Sequence, residues 1–233
     1  MRRAWVSLAR AVRRVVLALG VDLGRRPGDG RLRIWLVSLL GVYDVRALTA
    51  LDVPWWTFAA ADEVERFLAA RPAARVFEWG AGASSVWLAS RAGSVTSVEH
   101  DAAWADEIEP LLPGNVTLRR VPAPAAAGPD AVRSSRRGER HRDFRAYVAA
   151  IDDEDGAFDL VVVDGRAREA CLARAVRRVA PGGLVVLDNV DRARYRRAMA
   201  EHAGDLRVRV TRGLTPALPY PTRTALLRRD PAG

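Results

Sequence analysis

Four polar groups stand at the ends of apolar runs, where side chains can meet a ligand. In the first, Glu78 precedes Gly80 and Gly82, and Ser84 and Ser85 open the helical pattern Val86-Trp87-Leu88-Ala89. Glycine lets the backbone approach a ligand, and the free N–H groups of a helix start attract its negative end. The second group is Glu99, 21 residues after Glu78. An acid ending a second strand can accept hydrogen bonds from both hydroxyls of a ribose. The third is Asp164, delivered by the unbroken apolar run Leu160-Val161-Val162-Val163. The fourth is Asp188-Asn189, at the end of the run that follows Pro181-Gly182.

These groups need a frame that gathers strand ends, and the alternation of strand and helix patterns after Arg75 supplies one. The expected strands are 75–79, 95–99, 116–121, 158–164, 183–188, 206–211 and 222–228, with helices at 84–92, 101–112, 142–151, 167–179 and 191–203. This is the pattern of an α/β, doubly wound, mostly parallel seven-stranded sheet. Only Gly213 to Pro221 separates the last two strands, so they are expected as an antiparallel hairpin at a sheet edge. Parallel strands present their carboxyl ends to the ligand. The loops after Trp79, Glu99, Val121, Asp164, Asp188 and Thr211 are therefore expected to share one rim.

Composition bounds the rest. The chain has 233 residues, nearly half of them apolar, enough for a core. Its net charge is +9, carried by arginine alone, since it contains no Lys. That balance suits nucleic acid, an anionic membrane or acidic substrates. It also follows in part from a preference for Arg over Lys. Cys171 is the only cysteine and lies in an apolar helical pattern, so it is expected in the core. One cysteine cannot form an intrachain disulfide, which fits a reducing, cytoplasmic location.

Residues 1–50 read as a basic, amphipathic helical extension ahead of a domain at 51–233. Trp5, Leu8, Val12, Val15, Val16 and Leu19 recur at helical spacing, with Arg3, Arg10 and Arg14 on another face. A second apolar run covers Leu32 to Val42. Neither run reaches the roughly 20 residues of a membrane span, and no small-residue cleavage site follows the first. The extension either packs on the domain or a partner subunit, or lies on an anionic membrane through residues 1–42, at the inner face. Trp55-Trp56 reads either as packing before a helix or as a wall of the ligand pocket.

Taken in order, Glu78-Trp79-Gly80-Ala81-Gly82, Glu99, Asp159 to Asp164 and Ala180 to Asn189 resemble the motifs of the class I S-adenosylmethionine-dependent methyltransferases. The resemblance covers about residues 75–228 and extends to a poorly characterised bacterial subgroup with Pro54-Trp55-Trp56, Ser97-Val98-Glu99-His100-Asp101 and Val163-Asp164-Gly165-Arg166. It implies that S-adenosylmethionine is held by Glu78, Gly80, Gly82, Ser84, Glu99 and Asp164, with Glu78 on the methionine amino group and Glu99 on the ribose. Asp164 and Asp188 are the implied catalytic residues. A nicotinamide-dependent dehydrogenase is the rival, but its fingerprint needs a third glycine where Ser85 stands.

The resemblance implies methyl transfer to oxygen on a small or glycan-like, possibly anionic, acceptor. Asp164-Gly165-Arg166-Ala167 lacks the Pro-Pro-aromatic signature of many nucleobase amine methyltransferases. Asp164 with Asp188-Asn189 is similar to the Mg²⁺ ligands of the metal-dependent O-methyltransferases, which admits Mg²⁺ without requiring it. The third strand ends without an acid, so no adenine contact is assigned. Arg133, Arg136, Arg137, Arg166, Arg168, Arg192 and Arg194 read either as an anion-binding rim or as solvated charge. Loop 122–141 is expected to cover the site, with His141 as a conceivable base, and loop 213–221 to select the acceptor. The alternatives are a basic nucleic-acid-binding protein or RNA methyltransferase, and a non-catalytic donor-binding scaffold. Nucleic acid is disfavoured because no RNA-binding module is present; an oligomer is compatible with the sequence.

Overall fold

The computed structural model describes residues 2–42, 44–136, 138–204 and 206–231, with side chains from residue 6 onward. Arg137 of the rim arginines lies outside the described residues, as do the side chains of Arg3 and Trp5.

The strands are β1 (Arg75–Trp79), β2 (Ser94–Glu99), β3 (Val116–Arg120), β4 (Phe158–Val163), β5 (Val179–Asp188), β6 (Arg207–Gly213) and β7 (Thr222–Arg228). They form one sheet in the order β3-β2-β1-β4-β5-β7-β6. The pairs among β1 to β5 are all parallel, whereas β7 is antiparallel to both β5 and β6. The expected hairpin is therefore present, with its second strand inserted between β5 and β6. Strand β5 starts at Val179, earlier than expected, because Val179 already pairs with Phe158 before a register shift.

The central strands are apolar at successive positions because both faces are covered. Period-two alternation sends Phe77, Trp79, Val161, Val163, Val185 and Leu187 into one core cluster. Val76, Leu160, Val162, Leu184 and Val186 enter the opposite one. Edge strand β6 exposes Arg207, Val208, Arg209 and Val210, and its arginines discourage pairing with another chain.

Helices α1 (Arg2–Ala18), α2 (Arg31–Ser38) and α3 (Val45–Ala50) precede the sheet, followed by α4 (Phe58–Ala69), α5 (Ala83–Ala89), α6 (Ala102–Ile108), α7 (Arg145–Ala149), α8 (Arg168–Arg178) and α9 (Ala193–His202). Asp44, Thr57 and Asp101 cap α3, α4 and α6 by accepting backbone N–H bonds. The extension is helical, as expected. Its Ile34, Val42, Val45, Leu48 and Leu51 share a third core cluster with Ala81, Ala83, Ile108 and Ala217, so residues 31–51 pack directly on the loops that end the strands.

Candidate active site

A cavity of about 360 Å³ opens at the carboxyl ends of β1, β2, β4 and β5. It straddles β1 and β4, where the strand order reverses, the position at which open α/β sheets bind ligands. Residues 80–84 line it, with Glu99, His100, Asp164, Arg168, Asp188 and Asn189. The expected rim is thus formed, except that Arg136, not Val121, represents the segment after β3. Gly80, Gly82, Ser84, Glu99, Asp164 and Asp188 all meet here, as the sequence predicts.

Glu78 stands one layer behind. It is fully buried and is absent from the cavity wall. One carboxylate oxygen accepts from Ser84 Oγ, and the other accepts from Ser85 Oγ and, at 2.9 Å, from Ser97 Oγ. Burial pushes its pKa up to about 7; the three hydroxyls oppose the shift and nearby Asp164 adds to it. Ser85 Oγ also accepts the Gly82 N–H at 3.0 Å. Glu78 therefore anchors the glycine turn through two serines, and Ser84 alone of these carries the network to the cavity wall. Gly80 has φ +100°, and a Cβ there would come within 2.7 Å of Gly165 Cα. The β1 and β4 loops thus touch backbone to backbone, which no other residue allows at Gly80.

Glu99, ending β2, is buried at the cavity wall. Its Oε1 accepts the backbone N–H of His100 at 2.7 Å and of Asp101 at 2.9 Å. None of the described residues donates to Oε2, so a ligand can. Trp104, one turn into α6, donates its indole N–H to Ala81 O at 2.7 Å and ties the β2 loop to the glycine turn.

Asp164 and Asp188 are joined by Arg168, a residue the sequence reading placed among the rim arginines. Arg168 Nη2 donates to Asp164 Oδ1 at 2.6 Å, and Nη1 donates to Asp188 O at 2.5 Å and lies 3.9 Å from Asp188 Oδ2. Asp188 Oδ1 accepts from Thr224 Oγ1 at 2.7 Å, and Oδ2 accepts from the Asn189 amide. Burial raises the pKa of Asp164 against the pull of Arg168. Burial, with Asp164 beside it, raises Asp188 to about 8. Two carboxylates crossed by a guanidinium do not fit Mg²⁺, which needs acidic oxygens free to face it. No group of three His, Cys, Asp or Glu suited to a metal exists among the described residues.

The two tryptophans divide the roles foreseen for them. Trp56 is fully buried, edge-on to Trp87 at 5.8 Å. Trp55 lines the cavity and stacks on Trp104 at 6.5 Å. Val42, Ala217 and Leu218 complete the wall; sequence reasoning missed Val42, whose role depends on a contact between distant parts of the chain. Of the described rim arginines, only Arg136, Arg166 and Arg168 reach the cavity. Arg166 has its Nε buried without a hydrogen-bond partner, and burial, with Arg136 nearby, lowers its pKa. Segment 122–141 is folded back on itself by an Ala125–Arg142 bridge and by Val132 N–H on Asp143. His141 is exposed and outside the cavity wall, so it is not placed to act as a base. Cys171 is buried, as expected.

Comparison with solved structures gives a consistent result. An O-methyltransferase TomG from Streptomyces achromogenes, involved in tomaymycin synthesis and in complex with S-adenosylmethionine, superposes with a TM-score of 0.55 at 19% identity, covering 83% of this chain and 89% of that one. A Klebsiella pneumoniae protein assigned as an O-methyltransferase superposes with a TM-score of 0.53 at 20% identity over 99% of both chains. The fold is that of the class I methyltransferases. An rRNA methylase from Streptococcus thermophilus shares this methyltransferase fold at a TM-score of 0.50 and 12% identity, covering 72% of this chain and 95% of that one. No family model matches the sequence, and no curated protein matches it. No helix among the described residues is long and apolar enough to cross a membrane.

Proposed function

We propose that the chain binds S-adenosylmethionine in the strand-end cavity and directs its methyl group to an oxygen of a small or glycan-like acceptor. The observation that carries this reading is Glu99. Its Oε1 is held by two backbone N–H groups and lies 2.7 Å from His100 Nδ1, its Oε2 has no donor among the described residues, and the residue lines the cavity walled by the glycine turn. That is the geometry for holding two vicinal ribose hydroxyls.

Residues 80–84 would lie against the methionine part, with Ser84 presenting the Glu78 network. The bound donor supplies an electrophilic methyl group on sulfonium sulfur. The protein's own work is then to align the acceptor and take its proton. Asp164 is suited to the second task. Arg168 engages its Oδ1, and burial moves its pKa toward neutrality, where a base is most effective. Asp188 has both oxygens engaged and acts as a positioning residue for Asn189 and Arg168. Arg136 and Arg166 give the wall positive charge, which supports an acceptor bearing a carboxylate or phosphate.

Calorimetry with S-adenosylmethionine tests the reading. Saturable binding is expected, and Glu99→Ala should weaken it about 10- to 100-fold, as for loss of hydrogen bonds to a charged group. Wild-type protein that binds no donor would refute it. If labelled methyl groups enter RNA and no small molecule, the acceptor assignment passes to the RNA methyltransferase alternative.

A further inference from the structure

Helix α1 carries an apolar stripe that the fold leaves uncovered. Leu8 is 59% exposed, Val12 40%, Val15 60% and Leu19 75%. Their spacing of four, three and four residues sets them on one narrow face. The side next to the stripe packs inward through buried Ala9 and half-buried Val6 and Val16. Val21, next in the chain, and Leu32 and Leu36 of α2 are also more than two-fifths exposed. Scattered exposed apolar residues need no explanation, but a continuous stripe does.

The charge around the stripe identifies what covers it. Residues 1–46 contain ten arginines, three aspartates and no glutamate. Arg13, Arg25, Arg26, Arg31 and Arg33 are ion-paired, Arg25 and Arg31 with Asp52 and Asp62 beyond the segment, and the region keeps a net positive charge with those partners counted. Arg10 and Arg14 are exposed on α1, away from the apolar stripe. Arg13 is held by Asp44, the cap of α3, at 2.9 Å, which fixes α1 to the rest of the extension. Two such extensions facing each other would repel, whereas a surface of anionic lipid headgroups would attract them. A helix with an apolar stripe, a basic polar face and too little length to span is built to lie in a bilayer interface.

We propose that α1, with the exposed leucines of α2, docks the protein on an anionic membrane surface. The docking face is joined to the cavity. Trp35 of α2 donates its indole N–H to Leu218 O at 2.9 Å, and Ser38 Oγ accepts the Ala217 N–H at 2.8 Å. Ala217 and Leu218 line the cavity, and so does Val42, which follows α2. Lipid-bound protein thus has the cavity wall formed by Val42, Ala217 and Leu218 tied directly to its docking helices. The proposal stands whether or not the cavity binds S-adenosylmethionine.

The test is co-sedimentation of the full chain with vesicles of phosphatidylcholine alone or mixed with phosphatidylglycerol. Binding is expected only with the anionic mixture and should weaken with salt. Leu8→Glu with Val15→Glu, both at exposed positions, should lower the bound fraction at least about tenfold. The circular dichroism spectrum and melting temperature of this variant should match those of the wild type. Wild-type protein that stays in the supernatant with anionic vesicles would overturn the proposal. So would a wild-type dimer in sedimentation velocity that the same double substitution dissociates, because the stripe would then belong to a second copy.

Discussion

Arg168 donates to the Asp164 carboxylate at 2.6 Å and, through its other terminal nitrogen, to the Asp188 carbonyl. One buried cation therefore fixes the ends of two neighbouring strands, β4 and β5. Removing it leaves the buried Asp164 carboxylate without its cation and the Asp188 carbonyl without its donor, which costs far more than a surface ion pair is worth. Arg168→Met should lower unfolding free energy by about 3 to 5 kcal/mol in urea titration. A loss under about 1 kcal/mol would mean that the carboxylates are compensated elsewhere. Calorimetric titration of the wild type with Mg²⁺ should give no saturable heat.

Asp164→Asn separates proton acceptance from donor binding. Methyl transfer from labelled S-adenosylmethionine, measured with an acceptor from a substrate screen, should fall about 10²- to 10⁴-fold. Donor affinity should stay within about tenfold, because Glu99 and the glycine turn are untouched. Equal loss of both would make Asp164 a donor-binding residue instead.

The buried acids set a pH dependence of stability. Glu78 has an ordinary pKa of 4.5 and titrates near 7 in the folded chain. A raised carboxyl pKa means that the folded state keeps its proton longer than the unfolded chain. Its contribution is present in full below pH 4.5 and is lost as pH rises through 7. Asp188, raised to about 8, acts in the same sense. Unfolding free energy measured in urea should therefore decline between pH 4.5 and 7, and Glu78→Gln should flatten that decline by at most about 3 kcal/mol. An unchanged slope would show that Glu78 is ionised throughout.

The strand-end groups were readable in sequence because an unbroken apolar run places the next polar residue at its end, and parallel packing brings such ends together. Glu99, Asp164 and Asp188 meet for that reason. Glu78 also ends such a run, but its alternating position turns it away from the cavity toward Ser85 and Ser97. Arg168 lines the cavity as a rim arginine should, but its bridge between Asp164 and Asp188 was not legible because spacing does not show which way a long side chain turns. The distinct fates of Trp55 and Trp56 depend on Trp104 and Trp87, which lie far along the chain. Val42 reaches the cavity only because the extension packs there, which no local pattern encodes.

Strand β6 has β7 as its sole partner in the sheet, and β7 follows it in the chain. During synthesis, residues 207–213 leave the ribosome before the segment that will bind them to the rest of the sheet. Asp188 likewise waits for the Thr224 hydroxyl, 36 residues downstream. Strand β7 is thus the keystone between β5 and β6, and the pocket reaches its final shape only after residues 222–228 have been made.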